Sequence, residues 1–320
     1  MRLKLVPQET RIDFFLKIKL WVALSLIFLV LSLGSVLTQS LNFGIDFLGG
    51  TSIRTQSSQD VNVGAYRDAL STLDLGDVSI SQVFDPNFDE DQHVAMIRIQ
   101  QQISDNVSIN AVTNETLAAL QTIDPNLVFV SVEIVGPKVS GELVQTAIIA
   151  VVLAVAAVLV YIWLRFEWQF AQGAVAALIH DVLLTVGIFS MVQIKFDLAI
   201  IAALLTIVGY SLNDTVVVFD RVRENLRKYK SRPLKDVLNL SINETLSRTV
   251  ATSFTTLLAL IALFVLGGDV IRGFVFAMIW GVIVGTYSSV FIAAATLLRL
   301  GVKRDWSKPN AEAGTQVPQE

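Results

Sequence analysis

Cysteine is absent from the 320-residue chain, and histidine occurs only twice. No disulfide and no thiolate metal site can form, and two imidazoles are too few for a histidine-based metal centre. Charge is scarce as well: 16% of residues are Asp, Glu, Lys or Arg, against 53% hydrophobic, and the charges fall in a few blocks. Residues 39–141 lack a basic patch with interleaved aromatics, and no nucleic-acid partner is expected. No nucleophile, base and orienting group converge, so the chain is not expected to be an enzyme. What the sequence has in quantity is long apolar runs.

Crossing about 30 Å of hydrocarbon takes roughly 20 mostly apolar residues. Runs at 20–37, 147–164, 170–192, 198–219, 249–266 and 274–298 qualify. The expected fold class is a polytopic α-helical membrane protein with six transmembrane helices and an extracytoplasmic α+β domain between the first two. The expected division is a cytoplasmic N-terminus over 1–19, a first span over 20–38, an outer domain over 39–141 and five spans over 142–300. A cytoplasmic loop at 220–247 interrupts those spans, and residues 301–320 form a polar tail read as disordered. Arg2, Lys4, Arg11, Lys17 and Lys19 precede span one, and Arg299, Lys303, Arg304 and Lys308 follow span six. This distribution predicts that both termini are cytoplasmic. The long basic flank, and Ser35-Val36-Leu37-Thr38 as a poor cleavage site, argue against reading span one as a cleaved signal.

Residues 39–141 hold thirteen acidic side chains against four basic ones, the reverse of a cytoplasmic loop. Strand patterns at 51–55, 78–84, 94–99 and 128–135 alternate with helical patterns at 63–73 and 109–123. The order β-α-β-β-α-β predicts a ferredoxin-like split unit, with two helices on one face of a small sheet. Turn residues Asp85-Pro86-Asn87 and Asp89–Asp91 break the middle hairpin, and Val135-Gly136-Pro137-Lys138 closes the domain. The scattered acids read as a solvated surface.

The stretch from Gly209 to Asn225, GYSLNDTVVVFDRVREN, places Asp214 inside span four. An acid there costs about 2.5–3.5 kcal/mol by insertion scales, so such residues are buried, paired and functional. Ser211 and Val218 share its helical face, and Asn213 and Thr215 widen a polar arc unsuited to lipid. In span five, Arg248, Thr252, Thr255 and Thr256 lie on one stripe. An intramembrane arginine needs an acid or carbonyls, and Asp214 is the expected partner of Arg248; a snorkelling boundary arginine is the alternative. Span three carries His180 and Asp181, adjacent residues expected to point in different directions about the helix. They read equally as a proton relay or as a structural pair bonded to neighbouring helices. A further amphipathic piece at 234–246 is expected to lie along the membrane surface. In span six, Gly281, Gly285 and Ser289 recur every fourth residue and invite close helix contact.

Several stretches, in order, resemble the SecD/SecF family of bacterial protein-export membrane proteins, in the manner of its SecF members. They are Phe43-Gly44-Ile45-Asp46-Phe47-Leu48-Gly49-Gly50, Gly136-Pro137 with Glu142-Leu143, Ile179-His180-Asp181-Val182-Leu183, Gly209–Asn225, Leu246-Ser247-Arg248-Thr249 and Gly285-Thr286-Tyr287-Ser288-Ser289. The resemblance implies an RND-like half that pairs with SecD into a twelve-span unit beside the SecYEG channel of the inner membrane, with YajC and YidC as further candidate partners. It implies use of the proton motive force to draw or release a preprotein on the outer side. It makes Asp214 the essential acid and Arg248 the essential arginine. Asp46, Phe47, Gly49 and Gly50 then belong to a family signature of structural or coupling role. No cofactor is implied, the coupling ion being the proton, with sodium as the alternative. The expected cycle has protonation of Asp214 loosening Arg248, and the motion reaching the outer domain through spans one and two. Two other readings keep the residues but change the role: an RND-type exporter of small molecules or lipids, and a non-transporting scaffold. The first would need a larger outer domain than about a hundred residues provide.

Overall fold

The computed structural model describes residues 10–302, apart from 74, 76–77, 85–87, 89–91, 101–108 and 136. Arg2, Lys4, the turn residues Asp85–Asn87 and Asp89–Asp91, Gly136 and the tail from Lys303 lie outside the described residues. A backbone in hydrocarbon must satisfy its own hydrogen bonds, so apolar runs this long become helices. Among the described residues six helices are long and apolar enough to cross a membrane. They are α1 (Ile18–Gln39), α5 (Pro137–Arg165), α6 (Trp168–Val192), α7 (Leu198–Lys228), α8 (Leu234–Leu266) and the pair α9 (Asp269–Ser288) with α10 (Ala294–Leu300). A π-helical turn, Ser289–Ala293, joins the last two. A side chain at Gly173 would meet the carbonyl of Ala293 at 2.9 Å, so this glycine lets α6 lie against the turn.

Between α1 and α5 come α2 (Ile45–Leu48), β1 (Gly50–Ser57), α3 (Val63–Ser71), β2 (Val78–Val83), β3 (His93–Gln100), α4 (Ile109–Gln121) and β4 (Val128–Val135). The sheet order is β2-β3-β1-β4, antiparallel throughout, the expected ferredoxin-like arrangement. Ile53, Tyr66, Leu70, Ile97, Leu120 and Leu127 form its core. The acids are not all solvated as expected. Asp124, 2% exposed, ties the turn before β4 to the end of β1. Its carboxylate accepts from Ser57 Oγ (2.6 Å), Ser58 N (2.9 Å) and Asn126 N (2.9 Å).

Inside the bundle the usual soluble pattern is inverted. The buried residues of α1 are Ser25, Ser32 and Ser35, while its leucines and valines face outward. Small polar residues let helices approach closely in lipid. Ser35 Oγ meets Ser190 Oγ at 2.9 Å, and a side chain at Gly187 would collide with Ser32. Likewise a side chain at Gly281 would collide with Ile207, and one at Gly285 would come within 3.0 Å of Ser211. The glycine repeat of span six therefore seats it on span four, as its spacing predicts.

One element departs from expectation. Residues 234–246 do not form a separate surface helix but continue into span five as a single helix of 33 residues. Val237, Leu238, Ser241, Ile242 and Thr245 turn its buried face inward, so apolar packing against α7 holds it along the bundle axis. Asn225 Nδ2 bonds Ser241 Oγ (3.0 Å) and Glu244 (2.6 Å), and Arg221 bonds Glu244 (2.7 Å). The entering chain is fastened there too, Ile12 and Phe14 donating backbone N–H groups to Asn243 and Asn239. At about 1.5 Å per residue, α8 is roughly 50 Å long and must project well past a 30 Å hydrocarbon layer.

The bonds from Ser57, Asn126 and Ser58 hold the Asp124 carboxyl down to about pKa 2, below its ordinary 3.8. A depressed carboxylate contributes stability above its ordinary pKa and loses it as pH falls through the folded value. Asp124→Ala is accordingly expected to lower the resistance of the outer domain to proteolysis at pH 7. The wild-type advantage should shrink as the assay pH falls from 4 towards 2.

Candidate functional site

Among the described residues two acids, Asp181 and Asp214, are buried in the bundle, and the structure treats them differently. Asp181 is 1% exposed, and every oxygen of its carboxylate is engaged. Its Oδ1 lies 3.0 Å from His180 Nδ1, and its Oδ2 accepts from Ser211 Oγ (2.6 Å) and Ser288 Oγ (2.8 Å). Spans three, four and six are thereby joined at one atom group. The sequence expectation that His180 and Asp181 diverge is corrected: both are buried and bond each other, because helices surround span three on several sides. His180 packs against the Tyr287 ring, whose hydroxyl bonds Ser25 Oγ (2.7 Å) and the Trp21 carbonyl (2.8 Å). His180 Nε2 has no hydrogen-bond partner among the described residues. Ser25 and Ser288 were not singled out from the sequence, although the serine stripe of α1 is the signal that marks its inner face.

Asp214 is 3% exposed, shares the buried face with Ser211 and Val218 as its spacing predicts, and has an Oδ2 with no hydrogen-bond partner among the described residues. Thr215 is buried and donates to the Ser211 carbonyl (3.1 Å). Asn213 is exposed, so the expected inward polar arc is narrower and part of it opens outward. Arg248 makes no ion pair with Asp214, although its charge acts on that carboxyl across the gap. It is exposed and lines a cavity of about 1170 Å³ with Arg165, Asp220, Arg221 and Glu244. The threonines on its stripe turn to their own helix: Thr252 donates to Thr249 O and Thr255 to Ala251 O.

The signature before the sheet forms a second constellation. Gly49 (φ 75°) and Gly50 (φ 146°) adopt backbone that side chains disfavour, and they turn α2 into β1. Phe47 packs with Phe43 and Phe196. The Asp46 carboxylate accepts the Leu198 backbone N–H at 3.1 Å, at the start of α7, where Asp197 also caps Ile200 N. Around this junction lie Arg98 and Lys195. Burial pulls Arg98 below its ordinary value, opposed by Asp197, Asp46 and Glu133. Burial, reinforced by Arg98, brings the Lys195 ammonium down to about 8. Burial raises Asp197, partly offset by the backbone bond from Ile200. Sequence reasoning missed Asp197, Arg98 and Lys195, which come together only when loop and sheet meet.

Six spans, a ferredoxin-like domain after the first and a buried acid in the fourth define a polytopic α-helical membrane protein with an α+β domain. The family model for the protein export membrane protein SecD/SecF, C-terminal, matches residues 115–303, and that for the SecD/SecF GG motif matches residues 34–61. The chain is 60% identical over 315 residues to the protein translocase subunit SecF of Cereibacter sphaeroides, covering 98% of this chain and 97% of that protein. Identity to the Vibrio alginolyticus protein of the same name is 40% over 307 residues, with 96% and 95% covered. A crystal structure of SecDF from Thermus thermophilus, a translocon-associated membrane protein, superposes with TM-score 0.80 at 33% identity, covering 94% of this chain and 40% of that one. SecDF in a super-membrane-facing form gives TM-score 0.68 at 32% identity, covering 93% and 40%. The chain thus spans two-fifths of the SecDF chains it matches. It belongs to the SecD/SecF family, as a SecF-like subunit of the auxiliary complex of the Sec translocase.

Two outcomes follow from these constellations. Asp181→Ala strips two interhelical donors, Ser211 and Ser288, of their acceptor. At about 0.6 kcal/mol for each interhelical bond in a membrane, the bundle should lose about 1 kcal/mol, with Asp181→Asn losing less. Thermal unfolding in detergent reads this difference. Lys195 should be acylated at pH 8 ahead of the other lysines, because near its pKa about half of its amine is neutral. Peptide mass spectrometry after brief labelling measures the order.

Proposed function

We propose that this chain converts the proton motive force into movement of its outer domain, and so assists late stages of preprotein translocation. The observation that carries the reading is Asp214: a carboxyl 3% exposed, with one oxygen unpartnered among the described residues, within the field of Arg248 and not tied to it. Burying a polar group without a partner is costly, and the cost changes with its protonation state. A carboxyl in that position favours one helix arrangement when charged and another when neutral. Each elementary charge crossing the membrane contributes about 2.3 kcal/mol per 100 mV, enough for a few protons to shift a modest interface. That SecDF matches this chain at 0.80 in one structure and 0.68 in another, at nearly equal coverage, supports a fold whose parts move.

In this reading the sheet lies outside the inner membrane, and both termini, the 165–168 turn and the projecting ends of α7 and α8 lie in the cytoplasm. The open faces of the chain are where partners belong. SecD would cover the face bearing Asn213, Arg248 and Thr255 and supply a further acid there. Strand β4 leaves one edge unpaired, with Val128, Val130, Val132 and Ile134 exposed. SecYEG, with YajC and YidC, and the preprotein complete the set. The coupling ion is the proton, no cofactor is required, and no covalent chemistry is assigned to the chain.

Asp214→Asn tests the reading in cells carrying the intact complex. Secretion that depends on the proton motive force should fall at least tenfold, with membrane abundance and SecD co-purification unchanged. Unchanged secretion overturns it, and loss of abundance alone points to a scaffold. Restored secretion on replacing protons with a sodium gradient in the wild type identifies the other ion.

A further inference from the structure

A joint between two loops fastens the bundle to the outer domain, beyond chain continuity and the contact of α2 with α5. The chain leaves α1 at Gln39, and residues 40–46 run beside residues 193–198, the connection between α6 and α7. Gly44 N–H donates to the Phe196 carbonyl (2.8 Å), and Phe196 N–H donates to that of Asn42 (2.7 Å). Asn42 Nδ2 bonds the Gln193 carbonyl (2.9 Å), and Ser190 Oγ bonds that of Ser40 (2.7 Å). Phe43, Phe47, Phe189 and Phe196 pack edge to face and tilted around the pair of loops. The two non-glycine residues with left-handed backbone among the described residues, Ser40 (φ 58°) and Gln193 (φ 56°), both lie here. Strained backbone persists where surrounding contacts over-determine it.

The last bond of this joint runs from Leu198 N–H, in the first turn of α7, to Asp46. Two residues after α2, β1 begins, and β1 is an inner strand paired on both sides. At about 1.5 Å per residue, Asp214 lies roughly 24 Å along the same α7 rod. We propose that Asp46 is the coupling residue of this subunit: it clamps the start of the sheet to the end of the helix that carries Asp214. Movement of α7 then moves the sheet directly, without passing through spans one and two. A hydrogen bond to a carboxylate suits this role, because it is roughly twice as strong as a neutral one and lies against the positive end of the helix. Arg98, on the neighbouring strand β3, lines one cavity with Asp46 and Asp197, and its charge acts on both without an ion pair. The inference rests on the reading that α7 moves with the charge of Asp214.

The chain has no native cysteine, so an engineered pair is unambiguous. A side chain at Gly44 would place its Cβ 3.2 Å from that of Asp197, close to the 3.5–4.5 Å of a disulfide. The experiment uses the intact complex with SecD and measures proton flux and force-dependent secretion together. Asp46→Ala should cut secretion about tenfold, the equivalent of one lost charged hydrogen bond, while proton flux stays within twofold. Asp46→Asn, which keeps an acceptor oxygen, should retain most of the activity. Oxidising Gly44→Cys with Asp197→Cys should restore secretion to Asp46→Ala, and reduction should remove it again. The same pair with Asp46 intact should secrete equally in its oxidised and reduced forms. The proposal is overturned by normal secretion in Asp46→Ala, by proton flux falling in step with secretion, or by the disulfide blocking secretion with Asp46 intact. Failure of the proton reading itself shows separately, as normal secretion in Asp214→Asn.

Discussion

Burying a carboxylate where water does not reach is the constraint around which this bundle is arranged. Asp181 meets it by complete hydrogen bonding: His180, Ser211 and Ser288 engage both oxygens from three helices. Asp214, on the same helix face as Ser211, keeps an oxygen without a partner among the described residues. The first arrangement holds helices at fixed distances, and the second leaves a charge whose cost depends on whether a proton is present. The interior of one bundle thus contains an anchor and, one turn from Ser211, a switch.

The contrast explains why span four is the common element. It carries Ser211 and Asp214 in its middle, receives the glycine face of span six along its buried side, and offers its first amide to Asp46 at the domain end. At its other end Arg221 and Asn225 hold Glu244 of α8, so the two longest helices share a projecting tip. A shift begun at Asp214 therefore has a rigid path in each direction along α7. The closely approaching backbones beside Gly187, Gly281 and Gly285 resist gradual deformation, which favours discrete arrangements over continuous bending.

Much of this was legible in the chain because bilayer thickness and the two-residue strand period are strict. The spans, the strand order of the outer domain and the shared face of Ser211, Asp214 and Val218 follow from length and periodicity alone. Three features did not. The piece at 234–246 has an amphipathic pattern that fits a membrane surface as well as a bundle, and only its packing against α7 decides between them. The His180–Asp181 bond requires knowing that helices lie on several sides of span three. The junction of Asp46, Leu198, Arg98 and Lys195 joins residues far apart in sequence, and no local period encodes it. The acid of Asp124 read as surface for a related reason, since its serine partners lie at the other end of the domain sequence.

The clamp joins residues separated by 152 positions. At synthesis rates of about 5–20 residues per second, the ribosome needs roughly 8 to 30 seconds to supply Leu198 after Asp46 has emerged. During that interval the lobe is held by α1 and then by α5 and α6, with the start of α7 still missing. It must assemble its own small core of Ile53, Tyr66, Ile97 and Leu127 before its seat exists, so the order of biogenesis demands a lobe that can fold unaided and dock late.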